Sequence, residues 1–124
     1  MPTKEKEAAV AEIKQKFEEN ALVILVQYQG TTVAEITGLR KELRDAGVDI
    51  KVYKNTLAKI AVSDMGFDEI KEAMEGPTAY AFAQEPAGAS KIISNFAKAN
   101  ETFEVKGAVL DGEVISTAQV QALA

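Results

Sequence analysis

The sequence contains no cysteine, no histidine and no tryptophan among its 124 residues. Without cysteine or histidine it cannot form a disulfide framework, a zinc finger, a cysteine nucleophile or a histidine-based catalytic triad. Its longest apolar run covers residues 21–26, which is far too short to span a membrane as a helix. The N-terminus opens with alternating lysine and glutamate instead of an apolar signal region. We therefore expect a cytoplasmic protein.

The motifs of common enzyme sites are also missing. The sequence has no G-x-G-x-x-G string and no P-loop, and no motif fixes the geometry of a pair of carboxylates. Aspartate and glutamate residues scattered over amphipathic helices are nearly always solvated. The sequence therefore predicts a protein without catalytic residues, cofactor or metal site.

The charge of the chain is unevenly distributed. The formal net charge is −5, yet residues 1–60 hold ten basic and nine acidic residues, whereas residues 61–124 hold four and ten. Within the first half, residues 38–60 hold six basic and three acidic residues. An overall negative field repels nucleic acid, but a local basic patch can still bind it. The alternative is that the second half merely carries acidic helix faces.

Helical and strand patterns alternate along the chain. Residues 22–28 are apolar on both faces, as in a central strand covered on two sides. Further strands are predicted at 48–53 and 78–83, a hairpin at 103–115 around Asp111-Gly112, and helices at 3–19, 33–46, 55–65, 68–75 and 86–99. The pattern indicates an α/β fold: a single domain with a mixed β-sheet and helices on both faces, plus a truncated C-terminal helix.

Two capping boxes mark helix starts. Thr32 with Glu35 and Ser116 with Gln119 each have the spacing in which two side chains satisfy the first free amides of a helix. The helix that begins after Ser116 runs out at Ala124, barely two turns later. We expect that its continuation is missing from this chain.

The most informative stretch joins a basic helix to a strand and a second helix. Arg40 and Arg44 are four residues apart, so they share one helix face and can present guanidinium groups to a phosphate. Lys54 and Asn55 lie between the end of the strand and the start of a helix, and Lys59 follows one turn later. The free amides and the dipole at a helix N-terminus favour anions. The alternative is structural: the arginines pair with acids such as Glu35 or Asp45, Asn55 caps a helix, and Lys54 is solvated.

The tyrosines also allow two interpretations. Tyr28, Tyr53 and Tyr80 lie in or next to predicted strands. They could stack on nucleic-acid bases, but tyrosines in strands are more often half-buried packing residues.

Several strings together resemble the L-ten family of large-subunit ribosomal stalk-base proteins, called P-zero in archaea and eukaryotes, and the bacterial form is the most similar. The resemblance covers essentially the whole chain. Its matching strings are LRKELRDAG at 39–47, VYKNTL at 52–57, GPT at 76–78, FAKAN at 96–100, FEVK at 103–106 and GEVI at 112–115.

The resemblance implies a structural constituent of the large ribosomal subunit, and not an enzyme. It implies binding to large-subunit ribosomal RNA at the GTPase-associated centre, next to ribosomal protein L-eleven. A long C-terminal helix of the family carries dimers of the acidic stalk protein, which recruit translation factors. By this resemblance, the candidate RNA-binding residues are Arg40, Lys41, Arg44, Lys54, Asn55, Thr56 and Lys59, with Lys4 and Lys6 added from the N-terminal stretch.

The resemblance also implies a division of the chain. Residues 1–115 would form the ribosomal RNA-binding α/β domain, and residues 116–124 would begin the C-terminal helix. The chain ends where the family continues into the stalk helix, so we expect RNA binding with little grip on the stalk dimers. Two alternatives remain open: a ribosome-assembly factor of the same family, and a protein-interaction module that does not bind RNA.

Overall fold

The computed structural model describes residues 4–28, 30, 32–53, 55–74, 78–100 and 102–123. Within these residues it contains five α-helices, one 3-10 helix and five strands. The helices are α1 (Lys4–Glu19), α2 (Val33–Asp45), α3 (Asn55–Asp64), α4 (Pro86–Ala99) and α5 (Thr117–Leu123), and the 3-10 helix covers Asp68–Ala73. The strands are β1 (Leu22–Gln27), β2 (Asp49–Val52), β3 (Thr78–Ala83), β4 (Glu104–Leu110) and β5 (Glu113–Ile115).

The strands form one sheet in the order β2-β3-β1-β4-β5. The predicted α/β fold with a single domain is confirmed, but the pairing differs from the expected mixed sheet. All four pairings among the described strands are antiparallel. The reason is that β3 lies between β1 and β2, and β1 lies between β3 and β4. The strands that run in the same direction are therefore never neighbours.

The connections are two interleaved split β-α-β units. Helix α2 connects β1 to β2 across β3, and α4 connects β3 to β4 across β1. As predicted, β1 is the central strand, with Leu22–Gln27 paired on one side to β3 and on the other to β4. β2 and β5 form the two edges of the sheet.

Alternate residues of β1 divide the core into two layers. Leu22, Ile24 and Val26 face α2, α4 and α5, where they pack with residues such as Leu43 and Ile93. Val23 and Leu25 face α1, α3 and the 3-10 helix, and they pack with residues such as Ile13, Phe17 and Val62. The prediction of helices on both faces is confirmed, because a strand that is apolar on both sides needs cover on both sides.

The capping box predicted at Ser116 and the predicted hairpin turn have the expected geometry, whereas at Thr32 the Glu35 carboxylate accepts the Thr32 hydroxyl instead of the Thr32 amide. Ser116 and Gln119 form a reciprocal capping box: the Ser116 amide donates to Gln119 Oε1 at 2.8 Å, and the Gln119 amide donates to Ser116 Oγ at 3.3 Å. Asp111 and Gly112 both have positive φ, +48° and +83°, as a tight hairpin turn requires. Among the described helices, none is both long and apolar enough to cross a membrane.

Candidate nucleic-acid interface

Helix α2 presents two arginines beside the edge strand β2. Leu39 and Leu43 are buried against the sheet, and they fix the helix so that Arg40 and Arg44 are exposed. The two arginines line an open concavity of about 280 Å³, together with Gly47, Val48, Asp49 and Ile50. We call this concavity and its lining residues the β2-edge site.

The local sequence explains why this concavity forms. Thr32 caps α2, since its Oγ1 accepts the Glu35 amide at 3.2 Å. At the other end, Gly47 adopts a φ of +80°, and the Val48 amide donates to the Leu43 carbonyl at 2.7 Å. This Schellman turn leads the chain directly from the last turn of α2 into β2. It therefore places Arg44 next to the backbone of the edge strand.

Some cations of the described chain form ion pairs and others do not. Lys14, Lys71 and Lys106 each form an ion pair, with Asp64 at 2.8 Å, Asp68 at 2.9 Å and Glu104 at 2.6 Å respectively. Within the part of the chain that the structure describes, no carboxylate lies within 4.0 Å of a side-chain nitrogen of Arg40, Lys41, Arg44 or Lys59.

The structural alternative for the arginines is therefore not realised among the described residues. Neither Arg40 nor Arg44 pairs with an acid there, and Glu35 instead accepts the Thr32 hydroxyl at 2.9 Å. Both arginines are exposed to solvent.

The candidate residues that the structure describes do not share one surface. Arg40, Lys41 and Arg44 lie on α2, on one side of the sheet. Lys59 on α3 and the exposed Lys4 and Lys6 on α1 lie on elements that cover the opposite side. Asn55, half-buried, is the first residue of α3, and Thr56 beside it is exposed, while Lys54 lies outside the described residues.

The tyrosines are packing residues. Tyr80 is fully buried, and the Tyr53 ring lies 5.7 Å from it between centroids. Burial raises the pKa of Tyr80, and burial, with smaller contributions from Glu12 and Asp49, raises the pKa of Tyr53 to about 12. Neither buried hydroxyl has a hydrogen-bond partner among the described residues. Tyr80 is thus not available for base stacking.

Two other concavities are chemically different. One, of about 450 Å³, lies at the β5 edge between Glu69, Lys106 and Gln119, and its lysine is already paired. Another, of about 350 Å³, lies between α1 and α3, where apolar residues such as Leu57 and Ile60 alternate with charged ones, including Lys6. No group of three or more acidic residues in the described ranges is placed to hold a metal ion.

Sequence reasoning missed one part of the β2-edge site. It identified the two arginines from their spacing, but it did not include Gly47, Val48, Asp49 or Ile50 in the lining. The residue in the sequence that could have indicated this lining was Gly47, which was interpreted only as the end of a helix. Apart from its chain neighbours, no residue has an atom within 4 Å of a Cβ added at this glycine, so the surface is open at this point of the lining.

Comparison with known proteins places this architecture in a family. The family model of ribosomal protein L10 matches residues 1–98. The large ribosomal subunit protein uL10 of Clostridium tetani is 43% identical over 120 residues, which are 96% of this chain and 70% of that protein. The uL10 protein of Oceanobacillus iheyensis is 42% identical over 120 residues, covering 96% of this chain and 72% of that protein.

The chain belongs to the ribosomal protein L10 family and is of the bacterial type. Its role is that of a structural ribosomal protein of the large subunit, and the family is not enzymatic. The resemblance inferred from the sequence is thus confirmed.

Proposed function

We propose that this protein binds large-subunit ribosomal RNA at the base of the ribosomal stalk, in the GTPase-associated centre, through the β2-edge site. The observation that carries the proposal is the pair of exposed guanidinium groups of Arg40 and Arg44, which no described carboxylate neutralises. Arginine presents a planar fork of donors that matches phosphate oxygens, so two arginines on one helix face suit adjacent backbone phosphates.

The binding mode follows from the shape of the site. The concavity is open and shallow, and Gly47 leaves room for a sugar-phosphate backbone to approach. Contacts to phosphates position a protein on RNA but carry little sequence information, so the fold of the RNA has to provide the selectivity. Lys41 would add charge along the same helix. Lys59, Lys4 and Lys6, on the opposite side of the sheet, would require RNA that wraps around the β2 edge.

We further propose that residues 1–115 form the RNA-binding domain and that residues 116–124 begin a helix that continues in the full-length protein. In this proposal the continued helix anchors dimers of the acidic stalk protein, and ribosomal protein L-eleven is a neighbour on the RNA. Support comes from α5, which begins with a reciprocal capping box and is attached to the body by the buried Val120. The protein would act in the cytoplasm as part of the ribosome.

The RNA proposal is tested by filter binding to a stalk-base RNA fragment over a series of salt concentrations. The parent is compared with Arg40→Ala, Arg44→Ala and Lys54→Ala. Each true phosphate contact that is lost should weaken binding and lower the salt slope by about 0.7 to 0.9. Lys91→Ala is the matched control, because Lys91 is an exposed lysine on α4 that has no ion-pair partner among the described residues and does not line the concavity. If none of the three variants binds more weakly than the control, the site assignment is wrong.

The stalk proposal is tested by co-migration of the acidic stalk protein in size-exclusion chromatography. The present chain is compared with a longer chain that includes the downstream sequence of the full-length protein. Only the longer chain should retain the stalk dimers. Retention by residues 1–124 alone would contradict the assignment of the anchor to the continued helix.

A further inference from the structure

Two large apolar side chains are exposed among the residues that the structure describes, Val52 at 49% and Ile60 at 47%. Single exposed apolar residues are common on protein surfaces and by themselves indicate no function. The two differ in position. Val52 is the last residue of the edge strand β2, whereas Ile60 lies on α3, which covers the other side of the sheet from α2. The orientation of Val52 relative to the β2-edge site therefore decides whether it can act there.

The register of the sheet shows on which face Val52 lies. Val52 pairs with Ala79, and Ile50 pairs with Ala81. Both alanines belong to the core layer under α2, α4 and α5. Since directly opposed residues of an antiparallel pair share a face of the sheet, Ile50 and Val52 lie on the side that α2 covers.

The charged side chains of β2 lie on the other face, because side chains alternate along a strand. Asp49 Oδ2 is 3.3 Å from Nζ of Lys16 on α1, and Lys51 shares this face. The face of β2 toward α2 therefore presents only two side chains, Ile50 and Val52, and both are apolar.

Ile50 connects this apolar face to the two arginines. It is half-buried and lines the concavity together with Arg40 and Arg44. Val52 follows two residues later in the strand, about 7 Å away along β2. The β2-edge site therefore continues into a short apolar surface at the same edge of the sheet.

An apolar surface next to guanidinium groups suits one class of RNA structure. In a continuous duplex the bases are paired and stacked, so a protein meets mainly phosphates and sugars. In a loop or a bulge a base can leave the stack, and a side chain can then cover its face. A neutral valine gains nothing from a phosphate, but it can exclude water from the face of such a base.

We propose that Val52 packs against an unstacked base of the RNA whose phosphates Arg40 and Arg44 bind, and this inference rests on the proposed function. The arginines provide affinity for the backbone. Val52 makes the β2-edge site select RNA that has an unpaired nucleotide beside the bound phosphates, and Ile50 forms the inner end of the same apolar surface.

The test compares the binding of Val52→Thr and the parent to two RNAs, the stalk-base fragment and a fully paired duplex of the same length. Threonine keeps the β-branched shape and replaces one methyl group by a hydroxyl. Filter binding should show a loss of about three- to four-fold on the stalk-base fragment, as expected for one buried methyl contact, and no loss on the duplex. The salt slope should remain that of the parent on both RNAs, because no charge is removed.

Two further variants serve as controls. Val52→Ile keeps the apolar surface and should bind the stalk-base fragment as tightly as the parent. Val114→Thr makes the same substitution in β5, the strand at the opposite edge of the sheet, and should leave binding to both RNAs unchanged. Urea unfolding of both threonine variants checks that they remain folded.

Three results would overturn the inference. An equal loss on both RNAs would mean that Val52 contacts the sugar-phosphate backbone and not a base. No loss on either RNA would mean that Val52 is not covered in the complex. A loss of the same size for Val114→Thr would show a general effect of removing a methyl group.

Failure of the proposed function is distinct from these results. It would appear as unchanged binding of Arg40→Ala and Arg44→Ala, whereas failure of the inference about Val52 would leave the losses of the arginine variants in place.

Discussion

The two edges of the sheet have concave surfaces of opposite character. The β5 edge has the larger concavity, about 450 Å³, but its Lys106 is neutralised by Glu104 and it also exposes Glu69. The β2 edge has the smaller one, about 280 Å³, with two arginines that lack an acidic partner in the described chain. In a chain with a net charge of −5, the smaller concavity thus carries two arginines outside the ion pairs of the described residues, and on this basis we propose it as the polyanion site.

Charge reversal at each edge is expected to give the largest difference. The double variant Arg40→Glu/Arg44→Glu should lose about 100-fold in affinity for the stalk-base RNA, because two charge-assisted contacts of about 1.5 kcal/mol each are removed. Lys106→Glu at the β5 edge should change affinity by less than about two-fold, since an already paired surface charge contributes little. Filter binding at one fixed salt concentration measures both. Equal losses would show that general repulsion, and not a site, governs binding.

Two glycines provide a second comparison of the edges. Gly47 and Gly112 have similar φ values, +80° and +83°, and at both positions an added Cβ would have no atom within 4 Å other than those of the glycine and its chain neighbours. Alanine at either position should therefore lower the free energy of unfolding by about 1–2 kcal/mol through backbone strain alone. Only Gly47→Ala should also weaken RNA binding, by a few-fold, because its methyl group enters the β2-edge site. Urea unfolding and filter binding on the same samples separate the two effects.

The N-caps of α2 and α5 provide a third comparison, of how much each helix start contributes to the stability of the fold. Thr32→Ala and Ser116→Ala should each lower the free energy of unfolding by about 1 kcal/mol, since each removes an acceptor for a free helix amide. Thr32→Ser and Ser116→Thr, which keep the hydroxyl, should restore most of the stability. A cost near zero for Thr32→Ala would mean that packing of Leu39 and Leu43 alone fixes α2.

The last expected effect is a pH dependence beside β2, which is confined to alkaline solution. The pKa of Tyr53 is raised from 10.0 to about 12 in the folded protein, mainly by burial. The unfolded chain therefore loses this proton first, and the free energy of unfolding should fall as the pH rises above 10. Tyr53→Phe should lose less stability than the parent between pH 10 and 12, as measured by urea unfolding at both limits. An identical loss in the two proteins would contradict the assignment.

Much of the local structure was predictable from residue patterns. The double-sided apolar run predicted the central strand β1, and Asp111-Gly112 predicted the hairpin of β4 and β5. These features depend on neighbours in sequence, so the chemistry of a few consecutive residues determines them. The strand predicted at 78–83 is likewise β3, and its Ala81 and Ala83 lie in the core layer that contains Ala89 and Ile93 of α4.

The pairing of strands was less predictable. Alternating helices and strands suggested parallel neighbours, but the insertion of β3 between β1 and β2 depends on contacts between residues far apart in sequence. The register of Leu25 with Tyr80 and Gly107 is an example. Hydrophobic periodicity reports which residues are buried and does not report which strand lies beside them.

The candidate site was predictable only in part, for the same reason. The spacing of Arg40 and Arg44 identified the shared helix face. The contact between Lys16 and Asp49 joins residues that are 33 positions apart, and no local motif signals it. That Lys59, Lys4 and Lys6 bind the same RNA as the arginines remains a prediction. The sheet lies between these lysines and the arginines.

The interleaving of the strands has a consequence for how the chain acquires its structure. β1 forms hydrogen bonds only with β3 and β4 in the described sheet, and both lie more than fifty residues further along the sequence. A nascent chain that has emerged only as far as Met74 contains β1 and β2, yet it lacks every strand that could join them. Contacts of such long range slow folding. We therefore expect the domain to acquire protease resistance in a single late step, after β4 has been synthesised.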